Sequence, residues 1–202
     1  MKRPNSAETA SLVYEAFKDK KEKYSKEIIS IMNNRYFREF TGNLYLPKKS
    51  NEEVNNGVIL YDCSNMELDE SKESLIKKLQ DNYPLVKFVP FGYKTGTQSV
   101  FELLKNDYIK MKYGEEGAEK IAEIASQYKN KPRLFSFNSV DKKERRMSAS
   151  DGYWDFDDGL VVNGNIWSEY DGAHAFGIKK WFYCSLELIS KILTSNFPMK
   201  KN

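Results

Sequence analysis

The sequence predicts a single α+β domain over residues 1–202: a helical N-terminal two-thirds with a small mixed sheet, a β-meander at 133–178, and a closing C-terminal helix. Three observations predict it. Apolar residues recur at helical spacing in successive stretches before residue 129. Two apolar runs of strand length, "GVILYDC" (57–63) and "LVKFVPF" (85–91), interrupt them. After "NKP" (130–132) the pattern changes to short apolar runs separated by glycine-containing turns.

Taken in order, Ser6 is placed to cap a long first helix. Leu12, Val13, Phe17, Tyr24, Ile28, Ile31 and Met32 form its apolar stripe, and "KDKKEKYSKE" its wet side. "RYFREF" either continues that helix or opens a new turn, and "TGNLYLPKKSNEEVNNG" reads as a loop with a short strand inside. "LDESKESLIKKLQDNYP" is an amphipathic helix ending before Pro84. Pro90 cannot donate to a ladder, which puts the 85–91 strand at an edge or ends it there. "GYKTG" is a turn, with Thr97 as the cap of a helix that shows Val100, Phe101, Leu104, Tyr108 and Met111 on one face. Gly114 separates it from a helix presenting Ala118, Ile121, Ala122, Ala125 and Tyr128. "RLFSFN" is a strand and "VDKKERRMSASDG" a charged loop. "GLVV", "NIWSEY" and "AHAFGI" are short strands divided by "NGN" and "DGA" hairpin turns. Phe182, Leu186, Ile189 and Leu193 mark the closing helix. Because residues 57–112 read strand-helix-strand-helix, an α/β sheet stays open as the alternative.

The charge pattern is uneven. No Lys or Arg stands between Met147 and Ile178, where Asp151, Asp155, Asp157, Asp158, Glu169 and Asp171 give a local charge of −6. The chain's net charge is +3, so the remainder carries +9. The same window holds Tyr153, Trp154, Phe156, Trp167, Tyr170 and Phe176. An acidic-aromatic surface at 151–174, with Trp154, Asp155, Asp157, Asp158, Trp167 and Asp171 as contact residues, suits a protein partner with a basic surface through charge and cation-π contact. A low net charge argues against a dedicated nucleic-acid binder, although Lys142, Lys143, Arg145 and Arg146 form a run able to touch phosphates. No apolar stretch reaches the length of a membrane helix and no signal peptide is visible, so no membrane is expected and the protein reads as soluble and cytoplasmic. Cys63 and Cys184 then read as reduced thiols.

Four sets of residues carry candidate chemistry. His174, the single histidine, has Glu169, Tyr170 and Asp171 as the nearest orienting groups. Cys63 ends a strand before a helix whose N-terminus can lower a thiol pKa, and with His174 it would make a cysteine-histidine hydrolase. "DGYWDFDDG" starts like a calcium loop, but Leu160, Val161 and Val162 supply no side-chain oxygen, so no metal site is expected. Lys94, Thr95 and Thr97 in "FGYKTGTQSV" lie where a turn and a helix start expose N–H groups to an anion.

"IWSEYDGAH" resembles the C-terminal signature, Trp-Ser-x-Tyr-x-x-x-His, of an uncharacterised prokaryotic domain family. Trp167, Ser168, Tyr170 and His174 match it, and "RLFSFN" is similar to the Ser/Phe strand that precedes it there. The likeness covers about a tenth of the chain, Phe176 precedes Gly177 where the family has the reverse order, and the family's Asn-Asp-Pro motif is missing. The resemblance implies ADP-ribosyltransferase-like chemistry and association with defence loci. Under it Tyr170 stacks on a nicotinamide, His174 holds the ribose, and Glu169 stabilises the positive charge that develops as nicotinamide leaves. No catalytic constellation is complete. The leading expectation is therefore a binding or interaction protein, of the kind used in phage-host conflict, with no cofactor. An NAD-using transferase and a cysteine-histidine hydrolase are the alternatives.

Overall fold

The computed structural model describes residues 3–152 and 158–167, and the backbone of 173–174. Two helices open it, α1 (Ser6–Lys18) and α2 (Lys23–Asn34). Asn5, not Ser6, caps α1 in a capping box with Glu8, and Ser6 faces inward. The expected long helix breaks at Asp19–Glu22, within the lysine-rich wet stretch.

The strand β1 (Tyr36–Leu46) takes up both "RYFREF" and "TGNLYL". It is followed by β2 (Gly57–Asp62), α3 (Lys72–Gln80) and β3 (Val86–Pro90). Next come the short β4 (Gly96–Thr97), α4 (Val100–Lys105) and α5 (Asp107–Ala125). Gly114 interrupts α5 with φ 76 and ψ 170, a conformation glycine adopts without steric cost. Then come β5 (Arg133–Phe135), β6 (Glu144–Asp151), β7 (Val161–Ile166) and β8 (Ala173–His174).

The strand order is β3-β2-β1-β6-β7-β5-β4, with β8 paired parallel to the first residues of β1. This mixed sheet overturns the expected fold class. The N-terminal two-thirds is not a helical body with a small sheet: β1, at the centre, and its antiparallel partner β2 both lie there. The described strands within residues 133–178 do not form a meander either. Although β6 and β7 make an antiparallel pair, β5 joins β7 in parallel, and β6 also lies against β1. The closing helix expected around Phe182–Leu193 lies outside the described residues.

Polar residues at the sheet centre explain the misreading. Periodicity detects strands through apolar residues. In β6 the helix-side positions are Arg146, Ser148 and Ser150, all buried. Asn43 of β1 donates from Nδ2 to Ser148 Oγ (2.9 Å), and Tyr108 of α5 donates to Asn43 Oδ1 (2.6 Å). These groups satisfy one another, so a polar strand can be buried.

Each face of the sheet has its own core. On one face α1, α2 and α5 cover Phe37, Tyr45, Val58, Leu60, Leu134 and Val162. On the other, α3 brings Leu75 against Leu44, Ile59, Tyr61, Met147 and Ile166. A buried ion pair ties the helices to the first face: Lys112 Nζ lies 2.7 Å from Glu39 Oε2, and both side chains are fully enclosed. Tyr113 and Ser6 donate hydroxyls to the same carboxylate, each at 2.9 Å. Burial pulls the Lys112 pKa down, against the opposing pull of Glu39.

Candidate binding surface

At the end of the sheet where β7 finishes and β6 begins, the β6–β7 register shifts between Met147 and Ala149. Ile166 packs on the α3 side, whereas its neighbours Asn165 and Trp167 both meet Arg146. The indole of Trp167 lies face-on to the Arg146 guanidinium, at 3.5 Å from carbon to ring centroid. Trp167 is 63% exposed, while Arg146 is 7% exposed.

Arg146 is held from several directions. Nε donates to Asn165 Oδ1 (2.9 Å), and Nη1 meets Glu144 Oε2 (2.8 Å) and the Arg145 carbonyl (2.8 Å). Phe137 lies 5.6 Å away and meets Tyr45 edge-on at 5.0 Å. Tyr45 donates to the Gly164 carbonyl (2.8 Å) and shares a hydrogen bond with Ser136 Oγ (2.8 Å). Burial pushes the Tyr45 phenol up to about 12, so it remains a neutral donor at physiological pH. Gly164 is required here, since a Cβ would lie 2.0 Å from the Tyr108 hydroxyl oxygen and 2.8 Å from that of Tyr45. The "NGN" segment is thus the end of β7 closing over two tyrosines rather than a hairpin turn. The arrangement presents a ring fixed on one face and open on the other. Fixed aromatic and arginine side chains of this kind are enriched among residues that dominate binding interfaces.

Of the other residues singled out by sequence, Trp154, Asp155, Asp157, Glu169, Tyr170 and Asp171 lie outside the described residues. His174 is described through its backbone, which pairs with Phe37. Asp158 is exposed, and its carbonyl accepts from Asn130 N (2.9 Å). Asp151 is buried, so it does not belong to the same surface.

Lys94 is bonded to Glu102 (2.8 Å), the residue that also completes the capping box of α4 with Ser99. Thr97 pairs with Arg133 in the sheet and caps no helix, while Thr95 is a partly buried loop residue. In the 142–146 run, Lys142 and Lys143 are exposed. Arg145 turns to the α3 side, donating to Tyr61 Oη (2.6 Å) and to the carbonyls of Leu68 and Glu70. Two of the four cations are thus engaged within the fold. Cys63 is buried, and desolvation pushes its thiol up to about 12, away from the thiolate that nucleophilic chemistry requires.

A cleft of about 130 Å³ lies at the opposite end of the sheet, between Asn5, Asp62, Leu85, Met111 and Gly114. Its carboxylate is engaged: Asp62 accepts from Asn5 Nδ2 (2.9 Å) and from Ser64 N (2.7 Å).

Sequence reasoning singled out Trp167 and Arg146 separately, one as an interaction residue and the other as a phosphate contact. It missed Glu144, Asn165, Phe137 and Tyr45. The alternation of "ERRMS" was the available signal, since it sends Arg145 and Arg146 to opposite faces once the segment is read as a strand.

No family model and no curated protein matches the chain. The fold is similar to that of a solved protein of Nanoarchaeota, described in the words "accommodation of massive sequence variation … by the C-type lectin fold". The TM-score is 0.52 at 15% identity, over 82% of this chain and 83% of that one. At this identity the likeness is one of fold.

Proposed function

We propose that the chain is a binding protein that engages a protein partner through the surface centred on Trp167. The observation that carries this reading is an indole 63% exposed to solvent and stacked on a buried guanidinium held by three polar partners. Left in water, such a ring forgoes burial of its apolar area, and a partner that covers it recovers that stabilisation. Because the support is already ordered, little side-chain entropy is lost on docking.

The partner's surface is basic. Glu169 and Asp171 follow Trp167 closely in sequence, and Asp155, Asp157 and Asp158 precede it in the same cation-free window. Long-range attraction would steer a cationic surface toward this region and set the salt dependence of the encounter. The similarly folded protein is described as accommodating massive sequence variation by the C-type lectin fold, which is compatible with a binding surface carried on this frame. Among the described residues no helix is long and apolar enough to cross a membrane.

The test is capture of a partner by the full chain, followed by titration of the purified partner. Trp167→Ala is expected to weaken binding by about thirtyfold, corresponding to the ~2 kcal/mol of an interface anchor. Reversal of Asp155, Asp157 and Asp158 to Lys is expected to slow association and flatten its salt dependence. A partner bound equally well by Trp167→Ala would refute the reading.

A further inference from the structure

The proposed surface leaves open which group of a partner meets the indole. Acidic flanks and an exposed tryptophan would suggest a lysine or arginine seated on the ring. The geometry points elsewhere: we infer that the open face of Trp167 takes an uncharged aromatic side chain of the partner, and that Arg146 sets this preference. The inference rests on the reading of Trp167 as the contact residue.

The argument starts from the ring. An aromatic face attracts a cation because its quadrupole places negative charge above and below the plane. In this protein one face is already occupied, with the Arg146 guanidinium 3.5 Å from the centroid. That cation draws π density toward itself and depletes the opposite face. A second cation on the open face would lie about 7 Å from the first, close enough for direct repulsion. Glu144, at 2.8 Å from Arg146 Nη1, offsets the net charge at longer range. At contact range, however, the group touching the ring is the guanidinium.

The depleted face suits the electron-rich face of another aromatic ring, which gains offset stacking and buries apolar area. Arg146 cannot withdraw readily, since it is enclosed and held by Asn165, Glu144 and the Arg145 carbonyl. The basic groups of the partner would then answer the carboxylates of the same cation-free stretch of sequence, while an aromatic residue among them meets the ring itself. Arg146 thereby becomes a specificity-determining residue without touching the partner.

The experiment follows the indole N–H resonance of Trp167, assigned by its loss in Trp167→Phe, during titration with N-acetyl-tyrosinamide or N-acetyl-argininamide. The wild-type chain is expected to bind the tyrosine probe at least about fivefold more tightly. In Arg146→Met, which keeps an unbranched stem beneath the ring and removes the charge, the preference is expected to shrink or reverse. Arg146→Gln serves as a second charge-free variant. Tighter binding of the arginine probe to the wild-type chain would overturn the inference while leaving Trp167 as the contact residue. Absence of any shift with either probe would overturn the inference, while the reading of Trp167 as the contact residue is decided separately by the partner titration of Trp167→Ala. The wild-type comparison decides the matter even if the Arg146 variants fold poorly.

Discussion

Arg145 and Arg146 are neighbours in β6, yet they belong to different parts of the molecule. On the α3 side Arg145 is spent on the carbonyls of Leu68 and Glu70 and on the Tyr61 hydroxyl. On the other side Arg146 carries an indole that looks into solvent. The first pins a loop to the core. The second orders a group that the core does not need. The comparison teaches that the parity of a strand, combined with the exposure of what the charge touches, separates a structural arginine from one that supports a surface. The same contrast holds between the Glu39–Lys112 pair, enclosed on all sides, and the Arg146–Glu144 pair at the sheet's end.

The largest effect is expected inside. Lys112→Met leaves the Glu39 carboxylate buried without its cation, and about 3–5 kcal/mol should be lost in urea unfolding. Adding Glu39→Gln to that variant removes the orphaned charge and should restore most of the loss. If the single variant were as stable as the parent, the pair would not be the interior tie described above.

Arg145→Met is expected to cost about 1.5–3 kcal/mol, since Leu68 and Glu70 lose a charged donor to their carbonyls. Faster hydrogen exchange across residues 64–70 should accompany it. Gly164→Ala should cost about 1–3 kcal/mol through the collision with the Tyr108 hydroxyl. Combining it with Tyr108→Phe should return part of that loss, because the nearest clashing atom is then gone.

Alkaline pH sharpens the comparison further. Burial raises the Cys63 pKa from 9.0 to about 12 and that of Tyr45 from 10.0 to about 12. Between these limits the unfolded chain releases protons that the folded chain retains. Stability from these two groups is therefore complete below about pH 9 and declines as pH rises toward 12. Cys63→Ala should flatten the early part of that decline, measured as urea midpoint against pH. The smallest effect on stability is expected from Trp167→Ala, within about 0.5 kcal/mol, because its ring is mostly solvated. A much larger loss would make Trp167 a core residue and remove the distinction between the two arginines.

Several elements were legible in the sequence because their signals are local. "GVILYDC" and "LVKFVP" are β2 and β3, with β3 at the sheet edge as Pro90 suggests. The helix before Pro84 and the break at Gly114 also stand where periodicity and glycine put them. Phe101 and Met111, expected on an apolar face, are instead exposed, and Leu103 and Ile109 take the buried positions. There the helix break and the approach of neighbouring elements choose which stripe faces inward. The candidate surface was half legible. Trp167 stood out by composition, but its support by Arg146 joins residues 21 positions apart through a strand that reads as a charged loop.

By itself, then, the sequence determined the uneven charge, the apolar runs long enough for strands, and the glycines and prolines that punctuate them, since each depends on residues within a few positions. The tertiary structure alone decided that β1 and β6 lie at the centre of the sheet and that Glu39 and Lys112 meet inside. It also decided that Arg145 ties down the loop before α3 while its neighbour Arg146 supports a ring. Those outcomes depend on partners far apart in the chain, where buried polar groups are satisfied by neighbours that no local pattern identifies.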